Sequence, residues 1–259
     1  MKRSLSAGIL AMLLGALPLG LQAQEPAPAD GSYFTFTAAV PDVKISLTPS
    51  GAYTPWIDLN GNRICEETEK GRQESGNAFI INPQALSPRK SYTVYAEGCT
   101  ELDCSSNKIT ALDVDCPELT KLDVSSCTAL TELSCDYNQL TSLDVSGCSA
   151  LTNLDCSFNE ELTSLDVSSC SALTVLDCYT NQLTTLNVRN LTRLKTLNCY
   201  ANELTALDVS DCTALTELDC SSNKITAIDV DNCPLLTALS CEYNQLTALD
   251  VSSCTPLAD

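Results

Sequence analysis

The sequence predicts a solenoid of short β-rich coils, about 21 residues each, with little helix and low curvature, preceded by a small β-rich N-terminal cap. Three observations predict it. The twelve residues TELDCSSNKITA at Thr100–Ala111 recur unchanged at Thr216–Ala227. A marker asparagine returns at Asn107, Asn138, Asn159, Asn181, Asn202, Asn223 and Asn244, with spacings of 31, 21, 22, 21, 21 and 21. Between these markers lie segments such as LTSLDVSGCSA (Leu140–Ala150) and LTALDVSDCTA (Leu204–Ala214), too short and too rich in Asp, Val, Ser and Thr for a regular helix.

Each coil therefore has two half-units. The first reads L-x-x-L-x-C-x-x-N-x-L, beginning at Leu130, Leu151, Leu173, Leu194, Leu215 and Leu236; the second carries Val for that Cys and Cys for that Asn. In L-x-x-L-x-C the fourth and sixth positions alternate to one side, the period of a half-buried strand. One coil cannot cover its own apolar side, so coils must stack. Horseshoe curvature arises when helices space the coils more widely on one side than strands do on the other. With extended segments on both sides the stack should be nearly straight.

This pattern resembles the leucine-rich repeat, with Cys where the strand's last Leu often stands, over about Cys99 to Thr255. The resemblance implies that each marker Asn turns inward and hydrogen-bonds the backbone of its turn. The first spacing, 31, exceeds the period by a half-unit, because ITALDVDCPE and LTKLDVSSCTA stand in tandem at Ile109–Ala129. Either one bulges out, or the first coil sits half a turn out of phase. The interchangeability of the half-units favours the second.

Sixteen cysteines in an exported chain first suggest disulfides. Their periodicity suggests buried thiols instead. Cys104, Cys135, Cys156, Cys178, Cys199, Cys220 and Cys241 share one repeat position; Cys127, Cys148, Cys170, Cys212, Cys233 and Cys254 share the other, which Leu191 takes once. Stacked like cysteines have parallel Cβ vectors, poorly placed for a bridge, and a free Cys packs as a small apolar residue. No C-x-x-C pair supports a thiolate metal site. Cys65, Cys99 and Cys116 fall outside the two series and are the candidates for a bridge.

Residues 1–23 read as a signal peptide: Lys2 and Arg3, an apolar run from Ile9 to Leu21, and a small residue before Gln24. No later run reaches the length of a spanning helix. Secretion or a cell-surface location follows. Residues 24–98 do not repeat and form the cap, in which SYFTFTAAV, VKISLT, GNAFIINP and SYTVYAEG read as strands. Residues 99–259 form the repeat domain. It stops at Leu257-Ala258-Asp259, early in what would be a further coil, so either the chain is truncated or a partner covers its last edge.

Within the cap, WIDLNGNRICEETE places Asp58, Asn60, Asn62 and Glu69 at the spacing of a calcium loop of the EF-hand or dockerin kind. Arg63 stands where such a loop has Gly, and a hairpin turning at Asn60-Gly61 explains the same residues. No other cofactor is called for. Together, WIDLNG and the LDCSxN/LDVSxC repeats resemble internalin-like surface proteins of Bacteroidetes. That resemblance implies adhesion or contact with a host.

The formal charge is −19, or −21 without Lys2 and Arg3, which disfavours nucleic acid as a partner. The chain has no His, the commonest general base and metal ligand. Its carboxylates recur by period instead of converging on one point, and no Gly-rich phosphate loop is present. A non-catalytic binding protein is therefore expected, with a structural surface or matrix component as the alternative and a glycan-degrading enzyme a more distant one. The binding residues would lie on the concave strand face: the acids Asp103, Glu132, Asp155, Asp177 and Asp219, beside the aromatics Tyr137, Phe158, Tyr179, Tyr200 and Tyr243. A protein or glycan on a host or bacterial surface is the expected partner. The second acidic series, from Asp113 and Asp123 to Asp250, varies little and reads as structural.

Overall fold

The computed structural model describes residues 33–38, 45–49, 54–58, 72–73, 79–81, 91–95 and 99–258. The six cap strands are β1 (Tyr33–Ala38), β2 (Ile45–Pro49), β3 (Trp56–Asp58), β4 (Arg72–Gln73), β5 (Phe79–Ile81) and β6 (Ser91–Tyr95). The four segments expected to be strands are among them. The repeats supply β7 (Cys99–Asp103), β8 (Ile109–Asp115), β9 (Lys121–Asp123), β10 (Glu132–Ser134), β11 (Ser142–Asp144), β12 (Asn153–Asp155) and β13 (Val175–Asp177). They continue through β14 (Thr196–Asn198), β15 (Leu207–Asp208), β16 (Glu217–Asp219), β17 (Ile228–Asp229) and β18 (Ala238–Ser240). The one helical element among the described residues is a single 3-10 turn at Thr255–Ala258.

Two sheets form the two long faces of a solenoid. On the first face β8, β10, β12, β13, β14, β16 and β18 pair in parallel, in register, each Leu opposite the Leu of the next coil. On the second face β7, β9 and β11 do the same, and β15 with β17 and a bridge between Asp166 and Asn187 continue the line. Strand pairing on both faces spaces the coils equally, at roughly 4.8 Å per step.

The cap seals the first edge of both sheets. β1 runs antiparallel beside β8, and β2 antiparallel beside β7. The Thr110 hydroxyl donates to the Thr37 carbonyl, and that of Thr100 to Thr48, continuing the threonine series that links Thr131 to Thr110 and Thr152 to Thr131. Both sheets therefore run into the cap without a free strand edge at that end.

The first coil is half a turn out of phase. Leu102-Asp103, from an LDC half-unit, registers with Leu122-Asp123 on the second face, while Leu112-Asp113, from an LDV half-unit, registers with Leu133-Ser134 on the first. This places residues of the first coil differently from their sequence class, among them Asp113, which leaves the structural series and joins the first face. Cys104 stacks beneath Val124, outside the Cys135 series, and Asp103 lies on the second face. The half-units differ mainly in Cys against Val, both small and apolar, so either face accepts either one.

The core is a set of columns parallel to the solenoid axis. Leu112, Leu133, Leu154, Leu176, Leu197 and Leu218 form one, and Cys135, Cys156, Cys178, Cys199 and Cys220 another beside it, all buried. Each fully buried Leu contributes roughly 1.5–3 kcal/mol. The ladder cysteines carry free thiols, and so does Cys99, which forms no bridge to a described residue. Buried Cys116 places its Sγ 3.5 Å from the Tyr33 carbonyl oxygen, and Cys65 lies outside the described residues.

Burial pushes the thiols up to about 12 at Cys148, Cys212 and Cys220, and to about 11 at Cys233, so they stay protonated and unreactive at neutral pH.

Candidate binding face

The turn that leaves each first-face strand is built by its marker Asn. The Asn159 side chain is fully buried. Its Nδ2 donates to the Cys156 carbonyl in its own coil and to the Cys135 carbonyl in the coil before, both at 3.0 Å, while its Oδ1 accepts from the Leu140 N–H at 2.9 Å. Asn202 and Asn223 repeat this set. The second face achieves part of it with sulfur: the Cys148 thiol donates to the Val124 carbonyl at 3.2 Å, and that of Cys127 to Cys104 at 3.0 Å. Cys thus stands in for Asn where one bond to the preceding coil suffices.

The residue before each marker Asn is left-handed. Tyr137 (φ 54), Phe158 (φ 51), Thr180 (φ 54), Ala201 (φ 52), Ser222 (φ 53) and Tyr243 (φ 55) all occupy this conformation. Left-handed backbone costs an L-residue roughly 1–2 kcal/mol, and a bulky residue gains nothing local there. Aromatic side chains nevertheless stand at three of these six turns.

Three of the five expected aromatics form a connected row. Tyr137 stacks on Phe158 (centroids 4.2 Å, planes at 15°), and Phe158 meets Tyr179 edge-on at 5.1 Å. Tyr137 is 60% exposed and Tyr200, in the next coil, 40%. Tyr243 is 85% exposed and separated from the others by a coil that carries Ser221 and Ser222 instead.

Beside this row the first four rungs of the sheet and β1 enclose a shallow groove of about 410 Å³, with Asp113, Glu132, Asp155 and Asp177 on its floor and Thr35, Phe36 and Thr37 at one end. Burial raises the carboxyls of Asp113, Asp155 and Asp177 above the usual range; repulsion from Asp136 adds to the first two, and Asp155 acts on Asp177. Asp219 lies further along the same face, in β16. Asp155 also accepts the Ser157 N–H, and Asp219 that of Ser221, so both brace their turns as well as facing outward.

Asp103 does not belong to this face: it sits on the opposite sheet, where its carboxylate accepts the Ser105 N–H. Asp113 takes its place. The phase of the first coil would have identified it, since Ile109–Asp115 is the rung that registers with Glu132–Ser134. The groove residues Val175 and Phe36 also went unread in the sequence; nothing in a strand pattern says that a cap strand extends a repeat sheet. Asp58 ends β3, and Asn60, Asn62 and Glu69 lie outside the described residues. No cluster of three or more His, Cys, Asp or Glu able to hold a metal occurs among the described residues.

On the second face this bracing of turns runs through the Asp series from Asp123 to Asp250. Asp123, Asp144, Asp166, Asp208, Asp229 and Asp250 each accept the backbone N–H two residues on. Two of its strand-borne or adjacent cations are already paired, Lys121 with Glu101 and Arg189 with Asp208. Hydrogen bonds from Ser210, with the Arg189 guanidinium, hold the Asp208 carboxyl well below the usual range. These acids close turns, a structural role.

Among solved structures, repeat proteins are similar to this chain. The functional domain of InlJ from Listeria monocytogenes, which includes a cysteine ladder, is 43% identical over 61% of this chain, with a TM-score of 0.50. The fold is a leucine-rich-repeat solenoid. Its repeats are similar to those of the InlJ domain, and the match spans 38% of the InlJ chain. Internalin C2 of the same organism matches at 24% identity over 62% of this chain and 77% of its own, with a TM-score of 0.46. No family model and no curated protein matches the chain. No described helix of this leucine-rich-repeat protein is long and apolar enough to cross a membrane.

Proposed function

We propose that this chain is a non-catalytic, exported binding protein of the internalin-like kind, acting in adhesion or host contact through the first face of its solenoid. The observation that carries this reading is the Tyr137–Phe158–Tyr179 row: exposed or half-exposed aromatics, two of them on left-handed turns that favour small residues, on a frame that otherwise repeats. Variation concentrates there, while the second face repeats Asp and Ser. Large exposed aromatics on a rigid scaffold are favoured contact residues. The likeness to the InlJ domain supports binding over catalysis, and the absence of His agrees.

The test is a pull-down with the chain from Gln24 onward against host extracellular proteins and bacterial surface extract. Beside it runs a control with Tyr137, Phe158, Tyr179, Tyr200 and Tyr243 changed to Ser. Serine already holds the equivalent places at Ser157, Ser221 and Ser222, the last with φ 53, so the control keeps its fold. A partner captured by the native chain and lost by the control is the expected outcome. Equal capture by both would move the search to the cap, and capture by neither would favour a structural component.

A further inference from the structure

We infer that the first face takes a cationic, extended polypeptide segment, seated along the groove of the first four rungs with its Lys or Arg side chains between the acids and the aromatic row. This deepens the proposed binding role and rests on it.

Charge complementarity is the first ground. The groove presents Asp113, Glu132, Asp155 and Asp177, and no Lys or Arg stands at any outward position of the first-face strands. The nearest in sequence, Lys108 and Lys195, stand just before β8 and β14, outside the strands. On the second face, by contrast, Lys121 and Arg189 already neutralise Glu101 and Asp208. One face is therefore partly satisfied internally while the other keeps its negative charge for a partner. The raised carboxyls of Asp113, Asp155 and Asp177 fit this: each is partly desolvated and faces other acids, a condition a bound cation relieves.

The geometry of the aromatic row favours peptide over sugar. A glycan-binding platform needs ring faces open to stack on sugar rings. Tyr137 and Phe158 turn faces to each other at 4.2 Å, and Phe158 and Tyr179 meet with their planes at 76°, so the facing sides of Tyr137 and Phe158 are consumed. What remains in this row is an outer Tyr137 face, part of the Tyr179 ring, edges and hydroxyls, and the single rings of Tyr200 and Tyr243 stand apart from it. These suit an aliphatic Lys or Arg stem and its charged head. A groove crossing successive parallel strands also matches the length and straightness of an extended chain.

The probe is a nine-residue peptide alternating Lys and Thr, titrated into the full chain and followed by tyrosine fluorescence; the same peptide with Gln for Lys is the neutral arm. Asp155→Asn with Asp177→Asn removes two first-face charges and keeps amide oxygens in place. Asp123→Asn with Asp144→Asn removes two from the second face. The expected result is binding of the Lys peptide that weakens roughly tenfold or more in the first pair and less than about twofold in the second, and that fades with added salt.

Equal weakening in both pairs would mean general attraction to an acidic chain and would overturn the proposal, as would no binding or equal binding of the Gln peptide. A neutral partner captured in the pull-down and lost by the Tyr→Ser control would keep the face as a binding surface while overturning its cationic ligand.

Discussion

The Asn181 side-chain oxygen accepts the backbone N–H of Asn159 at 2.9 Å, whereas in the coils around Asn202, Asn223 and Asn244 the same oxygen accepts the N–H two residues beyond the preceding marker. The extra residue in Asn159-Glu160-Glu161 causes the difference. It is absorbed in a tight turn closed by the Leu162 N–H on the Asn159 carbonyl at 2.8 Å, which withdraws the usual donor. The ladder keeps its continuity by moving one bond. Each marker from Asn138 to Asn244 thus joins two coils through three or four hydrogen bonds, which a shorter or apolar residue cannot supply.

Asn159→Ala should therefore lower stability by roughly 2–4 kcal/mol, since it leaves a buried N–H and two or more carbonyls without their side-chain partner. Asn244→Ala, in a coil where the same side chain is only partly buried, should cost less than half of that. Urea midpoints of the two variants measure the difference. Equal losses would show that the bonds, and not their burial, set the cost.

Thiol burial predicts a stability that is lost in alkali. An unfolded Cys ionises near 8.5, while Cys148, Cys212 and Cys220 are held up to about 12 and Cys233 to about 11 in the folded chain. Folded-state values above the unfolded one give a contribution fully present below about pH 8.5. Between there and about 12 the unfolded chain binds fewer protons, so stability falls as pH rises through the folded values. The urea midpoint in reductant should stay level from about pH 7 to 8.5 and then decline steadily. Cys148→Ala with Cys233→Ala should flatten that decline; an unchanged slope would assign it to other groups.

The fold was legible because its period is covalent: seven Asn at near-fixed spacing and alternating Leu and Cys dictate stacked coils, and four cap strands announced themselves by β-branched and aromatic residues. The face of Asp103 was not legible from its residue class. Its half-unit and that of Asp113 share Leu, Asp and a small apolar residue, so only the pairing of Leu102 with Leu122 and of Leu112 with Leu133 tells them apart. The aromatic residues were visible, but the contact that joins Tyr137, Phe158 and Tyr179 was not. It depends on the left-handed turn that swings Tyr137 and Phe158 toward each other across coils.

The two acidic faces should respond to charge removal with opposite signs. Asp177 is raised in the folded state by burial and then by Asp155, so its charge costs the folded chain stability relative to the unfolded one. Asp177→Asn should raise the thermal midpoint at pH 7, and the gain should vanish below about pH 4, where the unfolded carboxyl is also protonated. Asp208 is depressed by Ser210 and Arg189, so its contribution is present above about pH 4 and is lost as pH falls. Asp208→Asn should lower the midpoint at pH 7. A stabilising loss of charge confined to the first face is what a surface kept for binding would show.

Thr180→Gly tests what the left-handed turns cost. Thr is β-branched, and φ 54 crowds its side chain against the backbone. Glycine relieves roughly 1–2 kcal/mol of that strain and gives back roughly 0.5–1 kcal/mol in unfolded-chain entropy, so a net gain of about 0.5–1 kcal/mol is expected. Tyr137→Gly relieves similar strain at φ 54 but also removes the stacked contact with Phe158, and should come out near neutral. Gly147→Ala runs the other way. Its φ is +77, and an added Cβ would lie 3.2 Å from the Ser126 Cα, so it should destabilise by about 1 kcal/mol. Thermal melts of the three variants give the ordering. If Thr180→Gly proved destabilising, the turn would draw more from the Thr side chain than its backbone strain costs, and the case that the aromatics at these turns are held for a partner would weaken with it.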